Sequence, residues 1–222
     1  QGFALDVDAV LATWREGVKL VFVCNPNNPT GNAVDRTAIE TLCRRLADRA
    51  LVVVDEAYIE FAQAESMAPA LAEFQNLVIL RTLSKAYALA GARCGALLAH
   101  TDIVNLLARV ITPYSLPTHT IEAVLKFTDD EHCVVARERV ATLLTERQKL
   151  SEQLASAVLI QRVWPSDSNF LLVECVDADR VLQAAIEAGL IIRDPRSQPA
   201  LANCLRISVG TPDQNQRLVR GI

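Results

Sequence analysis

"ALVVVDEAYIEF", Ala50 to Phe61, is the stretch that decides the fold class. Its aliphatic residues run unbroken from Leu51 to Val54 and stop at Asp55. A short apolar run bounded by polar residues reads as a buried strand. The form recurs on both sides. "VKLVFVCN" (Val18–Asn25) runs into a cluster of Pro, Asn and Gly, and "NLVILRTLSKAYALAG" (Asn76–Gly91) reads as a strand up to Leu80, with polar residues after it. "GARCGALLAH" (Gly91–His100) predicts a further strand. Asp35 opens a helix between the first two runs, because Ile39, Leu42, Cys43 and Leu46 recur at helical spacing behind it. Alternation of this kind predicts α/β layers: a three-layer domain on a mostly parallel sheet.

In such sheets ligands gather beyond the carboxyl ends of the strands. The residues at those ends are Asn25 to Thr30, Asp55 to Tyr58, and Thr82 to Lys85, and they are expected to converge on one crevice. The two prolines of "TPYSLPTH" (Thr112–His119) interrupt the alternation. A long helix-rich stretch from Ile121 to about Ser156 follows, its charges reading mostly as a solvated face. Beyond it, "SNFLLVEC" and "CLRISVG" predict strands around a helix at Asp179–Ala188, an α+β pattern. Residues 1–118 are therefore assigned to a large domain, and 119–222 to a connecting helix with a smaller C-terminal domain.

Composition narrows the function classes. The chain has 222 residues, 51% of them hydrophobic, and a formal net charge of −4, which argues against nucleic acid or an anionic membrane as partner. Its apolar runs are too short to span a bilayer, and no basic-then-apolar leader opens it, so a cytoplasmic location is expected. Cys24, Cys43, Cys94, Cys133, Cys175 and Cys204 are scattered, with no CxxC pair and no grouping with histidine. Reduced thiols, without a metal site or disulfide framework, are the expectation. The text begins at "QGFALDVD" without Met and ends at "QRLVRGI" in what reads as a helix, as expected of a piece of a longer protein.

"NPNNPTGN", "DEAY" and "TLSKAYALAGAR" need a common explanation. Taken singly, each has an ordinary one: a tight turn, a helix N-cap at Asp55, a snorkelling Lys85 and an arginine at 93 for any acidic neighbour. Together they match one chemical task. A lysine among apolar residues gives up its proton more easily, and a neutral amine can attack an aldehyde. Pyridoxal phosphate is the aldehyde cofactor that works this way. Its ring nitrogen needs a carboxylate, for which Asp55 is the candidate, and its phosphate needs hydroxyls and a cation, for which Thr82, Ser84 and Arg93 are candidates.

These motifs resemble the fold type I pyridoxal-phosphate aminotransferases of classes I and II, and most closely their histidinol-phosphate branch. The resemblance runs from "LDVDAV" to "LRISVGT", with the motifs in family order. It implies that Lys85 holds the cofactor as a Schiff base and later shuttles a proton. It further implies that Asp55 pairs with the ring nitrogen, that Asn28 and Tyr58 bond the ring hydroxyl, and that Thr82, Ser84 and Arg93 hold the phosphate. Arg206 in "CLRISVG" would grip the substrate's acidic group, Arg193 in "GLIIRD" would help bind a substrate phosphate, and Asn169 would lie near the substrate. The implied reaction exchanges the amino group of histidinol phosphate with 2-oxoglutarate and glutamate, in a homodimer. An aminotransferase for aromatic or other amino acids, a phosphoamino-acid decarboxylase and a non-catalytic binding module remain alternative readings.

Overall fold

A computed structural model describes residues 2–222. The chain divides into two compact units: residues up to Pro26 with Ala33–Arg137, and Asn27–Asn32 with Glu138–Ile222.

In the first unit, α1 (Val7–Thr13) starts where Asp6 accepts the Ala9 N–H at 2.9 Å. Strand β1 (Leu20–Cys24) follows, then α2 (Arg36–Arg45), capped by Asp35 as the sequence predicts, its carboxylate accepting the Thr37 N–H at 2.8 Å. The last turn of α2 carries Arg44 and Arg45, the sign that suits a helix C-terminus. Strands β2 (Leu51–Asp55) and β3 (Leu77–Thr82) lie parallel to β1 in the order β1-β2-β3, and β4 (Gly95–Ala99) closes the sheet antiparallel to β3. Gly95 is required there, since a Cβ would stand 2.7 Å from the Arg81 carbonyl oxygen.

Side chains alternate across the sheet. Val23, Val52, Val54, Leu77 and Ile79 share one face and pack with Ile39, Leu42, Leu46, Met67 and Phe74. Each fully buried aliphatic side chain contributes about 1.5–3 kcal/mol. On the opposite face Val53 and Val78 are buried, whereas Leu20 and Phe22 of β1 are exposed. Because β1, β2 and β3 run parallel, Asn25, Asp55 and Thr82 share the carboxyl edge, where the Asn25 N–H donates to the Asp55 carbonyl at 2.9 Å.

After β4 come α3 (Thr101–Ala108) and α4 (Thr118–Phe127). The helix-rich stretch expected from Ile121 to about Ser156 is made of two helices. Thr128 ends α4, and Asp129 accepts the His132 N–H at 2.8 Å, which starts α5 (Asp130–Ala155) afresh. In the second unit β5 (Ile160–Val163), β6 (Phe170–Cys175) and β7 (Cys204–Ser208) form an antiparallel sheet. Helix α6 (Ala178–Glu187) is capped by Asp177, and α7 (Pro212–Gly221) by a reciprocal pair of bonds between Thr211 and Gln214. Leu150, Leu154, Leu171, Val173, Val181, Leu205, Ile207 and Leu218 form its core. The charges of α5 are not all solvated: Arg147 falls on the stripe Leu143, Leu150 and Leu154 and is half-buried. No helix among the described residues is long and apolar enough to cross a membrane.

Candidate active site

The sheet of the first unit presents its functional groups in chain order along one edge. Asp55 ends β2, and its Oδ1 accepts the Ala57 N–H at 3.0 Å, which turns the chain sharply away. The turn delivers Tyr58, 8% exposed, at the head of a short 3-10 helix (Ile59–Phe61). Beside Asp55 in the register is Cys24, whose thiol pKa is raised by burial first and by the Asp55 charge second. The thiol is thus held protonated at neutral pH, unsuited to act as a nucleophile.

Thr82 ends β3. Its hydroxyl donates to Ser84 Oγ at 2.9 Å and accepts the Ser84 N–H at 3.1 Å, so the two hydroxyls form one small polar cluster. Lys85 follows, and its Nζ lies 5.1 Å from the centroid of the Tyr58 ring, within range for a cation–π contact. Lys85 is exposed, which corrects the apolar setting expected from its neighbours. Ala86 alone of the next few residues is buried. The chain from Ala88 to Ala92 makes a loop and a single 3-10 turn, not a core helix. Ala88 and Arg93 both adopt left-handed backbone, at φ 56° and 53°. Arg93 is exposed, its guanidinium donating to the Ala90 carbonyl at 3.0 Å.

Behind this edge lies a group the sequence reading missed. Glu56 is fully buried, takes hydrogen bonds from Ser66 Oγ and the Met67 N–H at 2.7 Å each, and pairs with Arg81 at 3.2 Å. Arg81 also meets Glu60 at 2.7 Å. Burial works against the Arg81 cation, but the bond to Glu60 and the charges of Glu60 and Glu56 outweigh it, so its pKa stands above the ordinary arginine value. This network ties the ends of β2 and β3 together. The readable signal was Glu56, a second carboxylate directly after Asp55 that the motif reading left unused.

The second unit holds the remaining candidates. Asn27–Asn32 folds on itself through Asn27 N–H to the Asn32 carbonyl at 2.9 Å and Gly31 N–H to the Asn27 carbonyl at 2.8 Å. Gly31 has φ 83°, and a Cβ there would meet Ser166 Oγ at 2.6 Å. The turn presents Asn28 to Arg206 of β7, whose guanidinium donates to Asn28 Oδ1 at 2.6 Å and lies over the Phe170 ring at 4.8 Å. Arg193 and Arg206 exchange both backbone hydrogen bonds, at 3.0 and 2.9 Å. Residues directly opposite in an antiparallel pair carry their side chains on the same face, so Arg193 and Arg206 leave the backbone on one side. Asn169 is half-buried, and its carbonyl accepts the Val209 N–H at 2.9 Å. Among the described residues no cluster of His, Cys, Asp or Glu could hold a metal ion.

Comparison with known proteins gives this arrangement a context. The model of the aminotransferase class I and II family matches residues 1–222. The histidinol-phosphate aminotransferase of Sodalis glossinidius is 45% identical over 219 residues, covering 99% of this chain and 61% of that protein. The chain thus spans about three fifths of the length of the curated histidinol-phosphate aminotransferases it matches. Among solved structures, the histidinol-phosphate aminotransferase of Sinorhizobium meliloti, in complex with pyridoxal 5'-phosphate, superposes at TM-score 0.86 with 27% identity, over 97% of this chain and 59% of that one. The L-threonine-O-3-phosphate decarboxylase of Porphyromonas gingivalis shares the fold at TM-score 0.81 and 24% identity, over 95% of this chain and 66% of that one.

Proposed function

The chain belongs to the class I and II aminotransferases, and from that premise we propose that it serves pyridoxal-phosphate-dependent transamination of histidinol phosphate, with 2-oxoglutarate and glutamate as the exchanging pair, in histidine biosynthesis. The donor set fits the cofactor. One sheet edge carries an amine (Lys85), a carboxylate (Asp55), paired hydroxyls (Thr82, Ser84) and a guanidinium (Arg93), the chemistry that an aldehyde, a ring nitrogen and a phosphate require. When bound, pyridoxal phosphate supplies a ring that accepts the electron pair released at the substrate carbon.

The chain's own residues divide the remaining labour. Lys85 Nζ would carry the proton from the substrate's amino-bearing carbon to the aldehyde carbon of the cofactor, and its place over the Tyr58 ring keeps the amine on the Asp55 edge. Asp55, fixed by its bond from Ala57, would be the carboxylate that pairs with the ring nitrogen. Thr82 and Ser84, with Arg93, would hold the cofactor phosphate, and Tyr58 would bond its ring hydroxyl.

The observation that carries the substrate assignment is the Arg193–Arg206 pair. Two arginines carried on one face suit a phosphate dianion better than a single carboxylate, because each guanidinium could make charge-assisted bonds to it. Arg206 is already oriented by Asn28 and Phe170, and Asn169 lies within the same unit. The reading includes a homodimer in the cytoplasm, a large domain of residues 1–118 and a smaller one of 119–222.

The test is an absorption spectrum of the protein with added pyridoxal phosphate, borohydride reduction and peptide mapping, followed by assay with histidinol phosphate and with phenylalanine. A visible band, label on Lys85 and preference for the phosphorylated donor are the expected results. Carbon dioxide release from a phosphorylated amino acid such as threonine O-3-phosphate, with no oxo-product from histidinol phosphate, would shift the reading to a decarboxylase on the same fold.

A further inference from the structure

Arg147 lies outside every motif, yet it stands at the base of the contacts that hold Asn28 and Arg206. Its guanidinium donates to the carbonyl of Ser168, a fully buried residue, at 2.6 Å. The Ser168 N–H donates to Ser166 Oγ at 3.1 Å, and that hydroxyl donates to the Phe170 carbonyl at 2.6 Å. Within the same short loop the Asp167 N–H donates to the Gly31 carbonyl at 2.7 Å. The loop thus grips the Asn28 turn through Gly31 and underlies Arg206 through the Phe170 ring. There is no slack at the first contact, since even a methyl group on Gly31 would overlap Ser166.

We infer that Arg147 is a positioning residue for the Asn28–Arg206 pair, acting through the Ser166–Phe170 loop, a role that rests on the reading of Arg206 as a substrate-binding arginine. The position itself supports this. On the stripe Leu143, Leu150, Leu154 a leucine would pack against the core of the unit at no electrostatic cost, whereas a guanidinium must be desolvated. Burial does disfavour the Arg147 cation, with the Asp167 carboxylate acting in the opposite direction. What arginine offers in return is a rigid fork of donors, one of which meets the buried Ser168 carbonyl.

A purely structural role would pin α5 to the sheet and nothing more, so the test needs readouts that separate the two. In the chain itself, Arg147→Met is expected to speed amide hydrogen exchange at Asp167 by about tenfold or more while amides of α6 keep their rates. In the cofactor-loaded protein the same variant is expected to raise KM for histidinol phosphate about tenfold, with kcat within about threefold of the original. Arg147→Lys, retaining a donor without the fork, restores part of both. Unchanged exchange at Asp167 overturns the inference, and so does faster exchange with KM unaltered. Should Arg147→Met fail to fold, Ser166→Ala cuts the same chain of bonds one step later, and an unchanged KM in that variant is equally fatal. If the unsubstituted protein transaminates nothing, it is the functional reading that fails. The exchange rate at Asp167 then still decides whether Arg147 holds the loop.

Discussion

The Lys85 loop and the Asn28 turn solve the same local problem in opposite ways. Both must reverse direction within a few residues while presenting a polar side chain. The Asn28 turn places glycine, Gly31, at its left-handed position and is then clamped by the Ser166–Phe170 loop. The Lys85 loop places Ala88 and Arg93 in left-handed backbone, which costs about 1–2 kcal/mol at each non-glycine residue. At Arg93 the functional reading explains the exception, since the position must carry a cation for the cofactor phosphate and glycine has none. One loop is built for fit, the other for chemistry. Substitutions in the Lys85 loop should therefore change reactivity with only small changes in stability, and those around Arg206, which the Asn28 turn meets, should change substrate recognition.

Lys85→Ala is the harshest test. Loss of the amine is expected to lower kcat by roughly four orders of magnitude or more and to abolish the borohydride label at this position, with the thermal midpoint nearly unchanged because Lys85 is exposed. Retention of substantial turnover would break the assignment outright. Asp55→Asn is next. Asparagine caps a turn about as well as aspartate, so the bond from Ala57 survives while the charge does not. If Asp55 serves only as a cap, activity stays level; the expected result is a loss of about a hundredfold or more in kcat, without a stability change above about 0.5 kcal/mol.

Arg193→Met turns to the other region. Removing one of two charge-assisted partners is expected to cost histidinol phosphate about 10- to 100-fold in kcat/KM and phenylalanine only a few-fold. Equal losses on both substrates would sink the phosphate assignment and favour the aromatic reading. Arg206→Met is the companion, expected to hurt both, because Arg206 is the arginine bonded to Asn28.

Legibility in the sequence followed the range of the interactions. Leu51–Val54 announced a strand because a contiguous aliphatic run has few other uses, and Asp35 announced a helix because capping is local. Asp55 and Thr82 could be placed on one edge because parallel strands align their carboxyl ends. The break between α4 and α5 escaped notice because Thr128–Asp129 stops one helix and starts another without glycine or proline. β5 was missed since only Ile160 of its residues is buried, too weak an alternation to show. Glu56 with Arg81, 25 residues apart, and Arg147 with Ser168, 21 apart, are pairings across the fold. For Arg147 the stripe Leu143, Leu150, Leu154 did offer a hint: a charged residue recurring with leucines at helical spacing is one that has something to bond inside.

The smallest expected effects test the strain itself. Ala88→Gly and Arg93→Gly both relax a left-handed residue, and both raise the freedom of the unfolded chain, which offsets part of the gain. Each is expected to raise stability by about 0.5–1 kcal/mol in urea or thermal unfolding of the cofactor-free protein. With cofactor the two should part company. Ala88→Gly keeps every donor and should retain pyridoxal phosphate through dialysis as the original does, whereas Arg93→Gly should lose it faster despite its firmer backbone. Parallel behaviour of the two variants with cofactor would mean that Arg93 contributes backbone shape alone, and the left-handed residues of this loop would need another reason. Divergence would show that the strain at 93 is tolerated for the guanidinium it carries, a trade that Gly31, with no side chain to present, never has to make.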